Sequence, residues 1–139
     1  MRAADGARGV APSPRVARSA LPPIGKPHYR LEAWKQAMAL VTEVYRLTST
    51  LPSEEKYGLA AQMRRAAVSV PSNIAEGAAR ETRKEFAQFL TIARGSLSAL
   101  ETQLLSASNL GYLHADKEVH AVMQRVSRLL TGLLRSARR

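Results

Sequence analysis

Few side chains in this chain are suited to covalent or metal chemistry, and their spacing argues against it. The histidines are His28, His114 and His120. The Glu-x-x-His pair that holds paired metals inside helical bundles is missing, because Lys117 stands three residues before His120. Asp116 and His120 share a helix face at i, i+4, but two ligands do not close a metal site. Cysteine is absent, which removes thiolate ligands, disulfides and cysteine nucleophiles. Neither a glycine-rich phosphate loop nor a Ser-His-acid arrangement can be traced. The expectation is a protein that is not an enzyme and uses no metal or other cofactor.

Arginine supplies the chemistry that remains. Arg125, Arg128, Arg135 and Arg139 fall at i, i+3, i+10 and i+14, one ribbon along a helix. Arg80, Arg83 and Arg94 trace a comparable line on the preceding helix, with Lys84 beside it. The planar guanidinium fork offers several donors to phosphate oxygens. Net charge is +10, and residues 29–139 alone carry sixteen basic residues against ten acidic. Such a balance points to a polyanionic partner. A solvated face beside Glu81, Glu85 or Glu118 is the plainer reading of the same arginines. Trp34 and six Phe or Tyr residues are the only aromatics, and most fall on apolar seams, so base stacking is not expected. Contact with RNA or DNA should then run through the phosphate backbone, with little sequence selectivity.

A third group of polar residues surrounds a proline. In the run from Arg64 and Arg65 to Gly77, Pro71 interrupts a helical pattern and is followed by Ser72, Asn73 and Glu76. Proline removes a donor and clashes with the preceding turn, leaving carbonyls near Ala67 and Val68 without their usual partners. Ser72, Asn73 and Glu76 are read as structural, repairing that loss and tying the helix to a neighbour. Glu101 is expected to pair with Arg64 or Arg65, within the bundle or across a subunit boundary.

The elements that must position these groups are helices. Residues 1–28 hold Pro12, Pro14, Pro22, Pro23 and Pro27 among Ala, Gly and Arg, and read as a disordered basic leader. An upstream start codon or a flexible basic arm accounts for it better than a secretory or transit signal. Residues 29–139 form the folded domain. The first helix should span Leu31 to Ser49 with a seam of Trp34, Met38, Val41, Tyr45 and Thr48. Ser53 is the expected N-cap of the second, with Leu59, Met63, Ala66 and Val70 inward, and the helix either continues through Pro71 to about Ala78 or breaks at Val70. Thr82-Arg83-Lys84-Glu85 reads as a capping box for the third, with Phe86, Phe89 or Leu90, Ala93, Leu97, Leu100 and Leu104 inward. Gly111 suits the left-handed position after its end. Asp116 should cap the fourth, with Val119, Val122, Val126, Leu129 and Leu133 as its seam. The fold class is all-α, an antiparallel up-and-down four-helix bundle. Leu40, Leu130 and Leu134 are left over from these seams as contacts for a subunit or partner. No apolar run approaches the roughly 18–20 residues of a membrane span, and with no cysteine the expected location is the cytoplasm.

Specific runs carry a resemblance. They are Trp34-Lys35-Gln36-Ala37-Met38, Glu54-Glu55-Lys56-Tyr57-Gly58-Leu59, the run from Gln62 through Pro71 to Gly77, Lys84-Glu85-Phe86, Glu101-Thr102-Gln103-Leu104 and Gly111-Tyr112-Leu113. Together they are similar to the four-helix-bundle proteins of intervening sequences in bacterial large-subunit ribosomal RNA genes. The resemblance implies a homopentameric barrel with no established enzymatic activity. It also implies kinship with accessory proteins of diversity-generating retroelements, which bind nucleic acid and a reverse transcriptase. Ala78-Ala79, where larger residues are frequent in the family, and the long leader depart from the pattern. Two functions follow as expectations: an oligomer that binds nucleic acid through its arginine surfaces, as accessory to a reverse transcriptase, or a scaffold that docks an acidic protein without nucleic acid.

Overall fold

In the computed structural model, which describes residues 27–114 and 116–139, four α-helices carry the chain. They are α1 (Glu32–Thr48), α2 (Leu59–Ala78), α3 (Arg83–Asn109) and α4 (Lys117–Ala137). Most of the expected leader lies outside the described residues. Pro27 and His28 do not belong to it, because Pro27–Arg30 form a 3-10 turn leading into α1. The His28 ring meets Trp34 edge-on at 4.9 Å.

Each helix packs on its neighbours in the chain, α1 closes the ring against α4, and the backbones of diagonal pairs stay apart. Short connections leave consecutive helices antiparallel. Local chemistry fixes most of the ends. Thr82 Oγ1 accepts the Glu85 N–H at 3.1 Å and starts α3. The Glu85 carboxylate accepts the Thr82 hydroxyl at 3.0 Å, so the box closes through side chains. Asp116 Oδ1 accepts the Val119 N–H at 3.0 Å and starts α4. At the end of α3, Gly111 takes φ +81°, which costs a residue without Cβ little. The Tyr112 N–H reaches the Ala107 carbonyl at 2.9 Å and the Gly111 N–H that of Ser108 at 3.0 Å, the paired bonds of a Schellman motif.

The start of α2 departs from expectation. Ser53 does not cap it; Ser53–Glu55 form a single 3-10 turn. Gly58, at φ −101° and ψ −107°, breaks the helical path before Leu59. The cap comes from Glu55 instead, whose Oε1 accepts the Leu59 N–H at 3.1 Å. Its Oε2 accepts the Tyr112 hydroxyl at 3.2 Å, joining this helix start to the corner after α3. That bond pushes the Tyr112 hydroxyl above its ordinary pKa.

Two apolar seams also shift. In α1 the buried line is Ala33, Ala37, Leu40, Val44 and Leu47, with Trp34 and Thr48 at its ends. Met38 and Val41 are half-buried, and Tyr45 is 40% exposed. The helix offers apolar residues in adjacent pairs, so two stripes fit its spacing, and packing between α2 and α4 selects the other one. In α4 the core line leaves Val126 for Leu130, Leu134 and Ala137, while Leu129 and Leu133 are half-buried. A straight helix drifts about 20° per heptad, which carries a seven-residue pattern off the seam. Leu40, Leu130 and Leu134 are therefore core residues, at most 2% exposed, and not partner contacts.

The helix α2 runs unbroken through a buried Pro71. Near its end α2 and α3 come very close. A Cβ on Gly77 would lie 2.8 Å from Phe89 Cβ and 3.3 Å from the Phe86 carbonyl oxygen.

Candidate nucleic-acid interface

The bundle separates the expected cations into groups. Arg125, Arg128 and Arg135 stand exposed on α4, and Arg139 follows just beyond its last turn. Arg125 donates from Nε to Gln36 Oε1 of α1 at 3.1 Å, a neutral partner. Arg128 borders a groove with Leu31, Glu32 and Leu133. On α3, Arg94 is exposed and lines a small cleft with Ser98, Glu101, His120 and Gln124. Arg83 and Lys84, in the first turn of α3, share a cleft of about 500 Å³ with Arg138 and Arg139.

Arg80 does not belong to the α3 line. It lies in the turn before Thr82, because the capping box begins the helix after it. Its guanidinium pairs with Glu76 at 3.5 Å and sits 4.8 Å from the Phe89 ring centre. The other seven expected cations make no ion pair among the described residues. Arg138, which the ribbon arithmetic passes over, joins them because antiparallel packing brings the end of α4 to the start of α3.

The residues around Pro71 do a different job. Asn73 Nδ2 donates to the Ser69 carbonyl at 2.8 Å and to Ser69 Oγ at 2.9 Å. Ser69 Oγ meets Ser96 Oγ of α3 at 2.8 Å. Asn73 thus reaches Ser69, one turn back along its own helix, and links α2 to α3, while the Ala67 and Val68 carbonyls are not its targets. Ser72 and Glu76 are exposed and take no part in this network. Arg64 turns toward α1: its Nε donates to Thr48 Oγ1 at 2.8 Å and its guanidinium stacks 4.6 Å from the Tyr45 ring centre. Within the subunit neither Arg64 nor the exposed Arg65 pairs with Glu101, which faces the α3–α4 groove instead.

At the far end of that groove, His114, Asp116, Lys117 and His120 rim a largely apolar cavity of about 420 Å³ floored by Leu104, Leu113 and Met123. Asp116 is committed to Val119 and to Arg46, whose Nη2 lies 3.0 Å from Oδ2. The Val119 N–H, with Arg46 adding to it, holds the Asp116 carboxyl below its ordinary range against the opposing effect of burial. Glu43 first and Asp116 second raise the Arg46 pKa in turn. Among the described residues no group of three or more His, Cys, Asp or Glu is placed to hold a metal. No helix among them is long and apolar enough to cross a membrane.

What this geometry can do is hold anions by charge-assisted hydrogen bonds on exposed surfaces. No curated protein matches the chain. The profile of the 23S rRNA-intervening sequence proteins does, over residues 29–132. That span takes in all of α1, α2 and α3 and most of α4, and with it the chain belongs to the 23S rRNA-intervening sequence protein family.

Proposed function

We propose that this chain is a non-enzymatic homo-oligomer, a pentamer, that binds RNA or DNA through backbone phosphates and serves as accessory to a reverse transcriptase. One observation carries the binding: Arg83, Lys84, Arg94, Arg125, Arg128, Arg135 and Arg139 point outward with no carboxylate partner among the described residues. Glu101 shares the cleft of Arg94 and Glu32 the groove of Arg128, but neither forms an ion pair with that cation. Repeated around a ring, the unpaired charge becomes a continuous positive field. The family takes its name from sequence within 23S rRNA, in keeping with an RNA-related role. The reading is of a cytoplasmic protein without cofactor. A scaffold for an acidic protein partner loses the contacts expected of Leu40, Leu130 and Leu134, which lie in the core.

Two measurements test this reading. Affinity for a labelled RNA should fall at least about tenfold between about 50 and 200 mM salt as counterions compete. Light scattering at micromolar concentration should report an assembly five times the 15.2 kDa chain. Salt-independent binding overturns the phosphate contacts, and a single protomer overturns the ring.

A further inference from the structure

The unpaired cations differ in what they form together. Arg125, Arg128 and Arg135 follow one another along an exposed face of α4. In contrast, Arg83 and Lys84 from α3 and Arg138 and Arg139 from the end of α4 converge on one cleft of about 500 Å³. Its remaining lining is Ala87, Gln88, Thr91 and Ala137, so neither an acidic side chain nor an aromatic ring contributes. The four cations make no ion pair among the described residues. Gathering like charges within a Debye length of about 8–10 Å is unfavourable until an anion enters.

Helix stability explains only half of this arrangement. Arg138 and Arg139 follow the end of α4, where cations favour the helix dipole. Arg83 and Lys84 occupy the first two positions of α3, where the dipole disfavours them. Their placement weakens the local helix and strengthens the cleft.

We infer that this cleft is the principal grip on nucleic acid, holding adjacent phosphates of one strand, with the α4 ribbon adding only diffuse attraction. The inference rests on the reading under Proposed function and narrows it to one site. Gln88, exposed beside the cations, supplies a neutral donor to the same oxygens. With no ring to stack on, the cleft is indifferent to base identity.

The test compares two full-chain variants by fluorescence anisotropy with a labelled single-stranded RNA of about 20 nucleotides, across a salt series. In the cleft variant, R83Q/K84Q/R138Q/R139Q, affinity should drop at least about tenfold. The slope of log affinity against log salt should become shallower by about 3, at roughly 0.7 for each lost phosphate contact. The ribbon variant, R125Q/R128Q/R135Q, should keep its slope within about 0.7 of the unaltered chain. If the cleft variant does not fold by circular dichroism, R83Q/K84Q replaces it, since removing cations from a helix start does not weaken that helix; its slope should be shallower by about 1.4. An intact slope in the cleft variant, with RNA still bound, overturns the cleft and leaves the broader reading standing. No RNA binding by the unaltered chain overturns both.

Discussion

At Gly77 the two helices leave no room for a methyl group. The obstructing atoms are Phe89 Cβ at 2.8 Å and the Phe86 carbonyl oxygen at 3.3 Å, both fixed to the backbone of α3, besides Phe86 Cδ1 at 2.9 Å. Rotating one phenyl ring therefore relieves only part of the clash. Gly77→Ala gains about 1 kcal/mol of helix propensity, but overpacking of this kind costs about 1–3 kcal/mol. The net expectation is a lower melting temperature, and an unchanged or higher one would show that α2 and α3 can separate freely. Asp116 offers a second test. Its pKa is lowered on folding, so the linked stability is present above the unfolded value of about 3.9 and is lost as pH falls through the folded value. Asp116→Ala should cost about 1 kcal/mol in urea melts at pH 7, and the gap to the unaltered chain should close below about pH 4. A gap of the same size at pH 3 would mean that the charge contributes nothing.

At the scale of the helix, what could be read from sequence depended on how local the cause was. The starts of α3 and α4 were legible because Thr82 and Asp116 bond backbone only three residues ahead. The start of α2 was not, because its cap is Glu55, acting across the break at Gly58. Core spacing in α3 was legible from Leu90 through Ala93 and Leu97 to Leu100, all buried, whereas Leu104 is half-buried and Ile92 and Leu105 stand exposed. In α1, paired residues such as Leu40 and Val41 left two stripes equally periodic, and only the positions of neighbouring helices decide between them. The cleft was half legible. Arg83, Lys84 and Arg139 stood out as cations, but counting along one helix cannot show that the end of another lies beside them. Continuity through Pro71 was undecidable from the residue itself, and the Asn73–Ser69–Ser96 chain now supplies a reason for Asn73 at that place. Asn73→Ala should lower stability by about 1 kcal/mol. The loss should be non-additive with Ser96→Ala, since both belong to one network. Thermal melts of the two single variants and the double variant measure this directly, and strictly additive losses would dissolve the network.

Considered whole, the ion pairs among the described residues lie on α1, at the end of α2 and at the cap of α4: Lys35 with Glu32, Arg46 with Glu43 and Asp116, and Arg80 with Glu76. Unneutralised cations occupy α3, α4 and the cleft between their ends. Such an asymmetry orients an incoming polyanion before contact and raises the encounter rate at low salt. It also bears on what holds the ring of helices closed. Glu55 serves two masters, the first amide of α2 and the phenol of Tyr112 beyond α3. Fraying at either place frees one carboxylate oxygen and loosens the side chain that carries the other, so these two corners, distant along the chain, are tied together through one carboxylate.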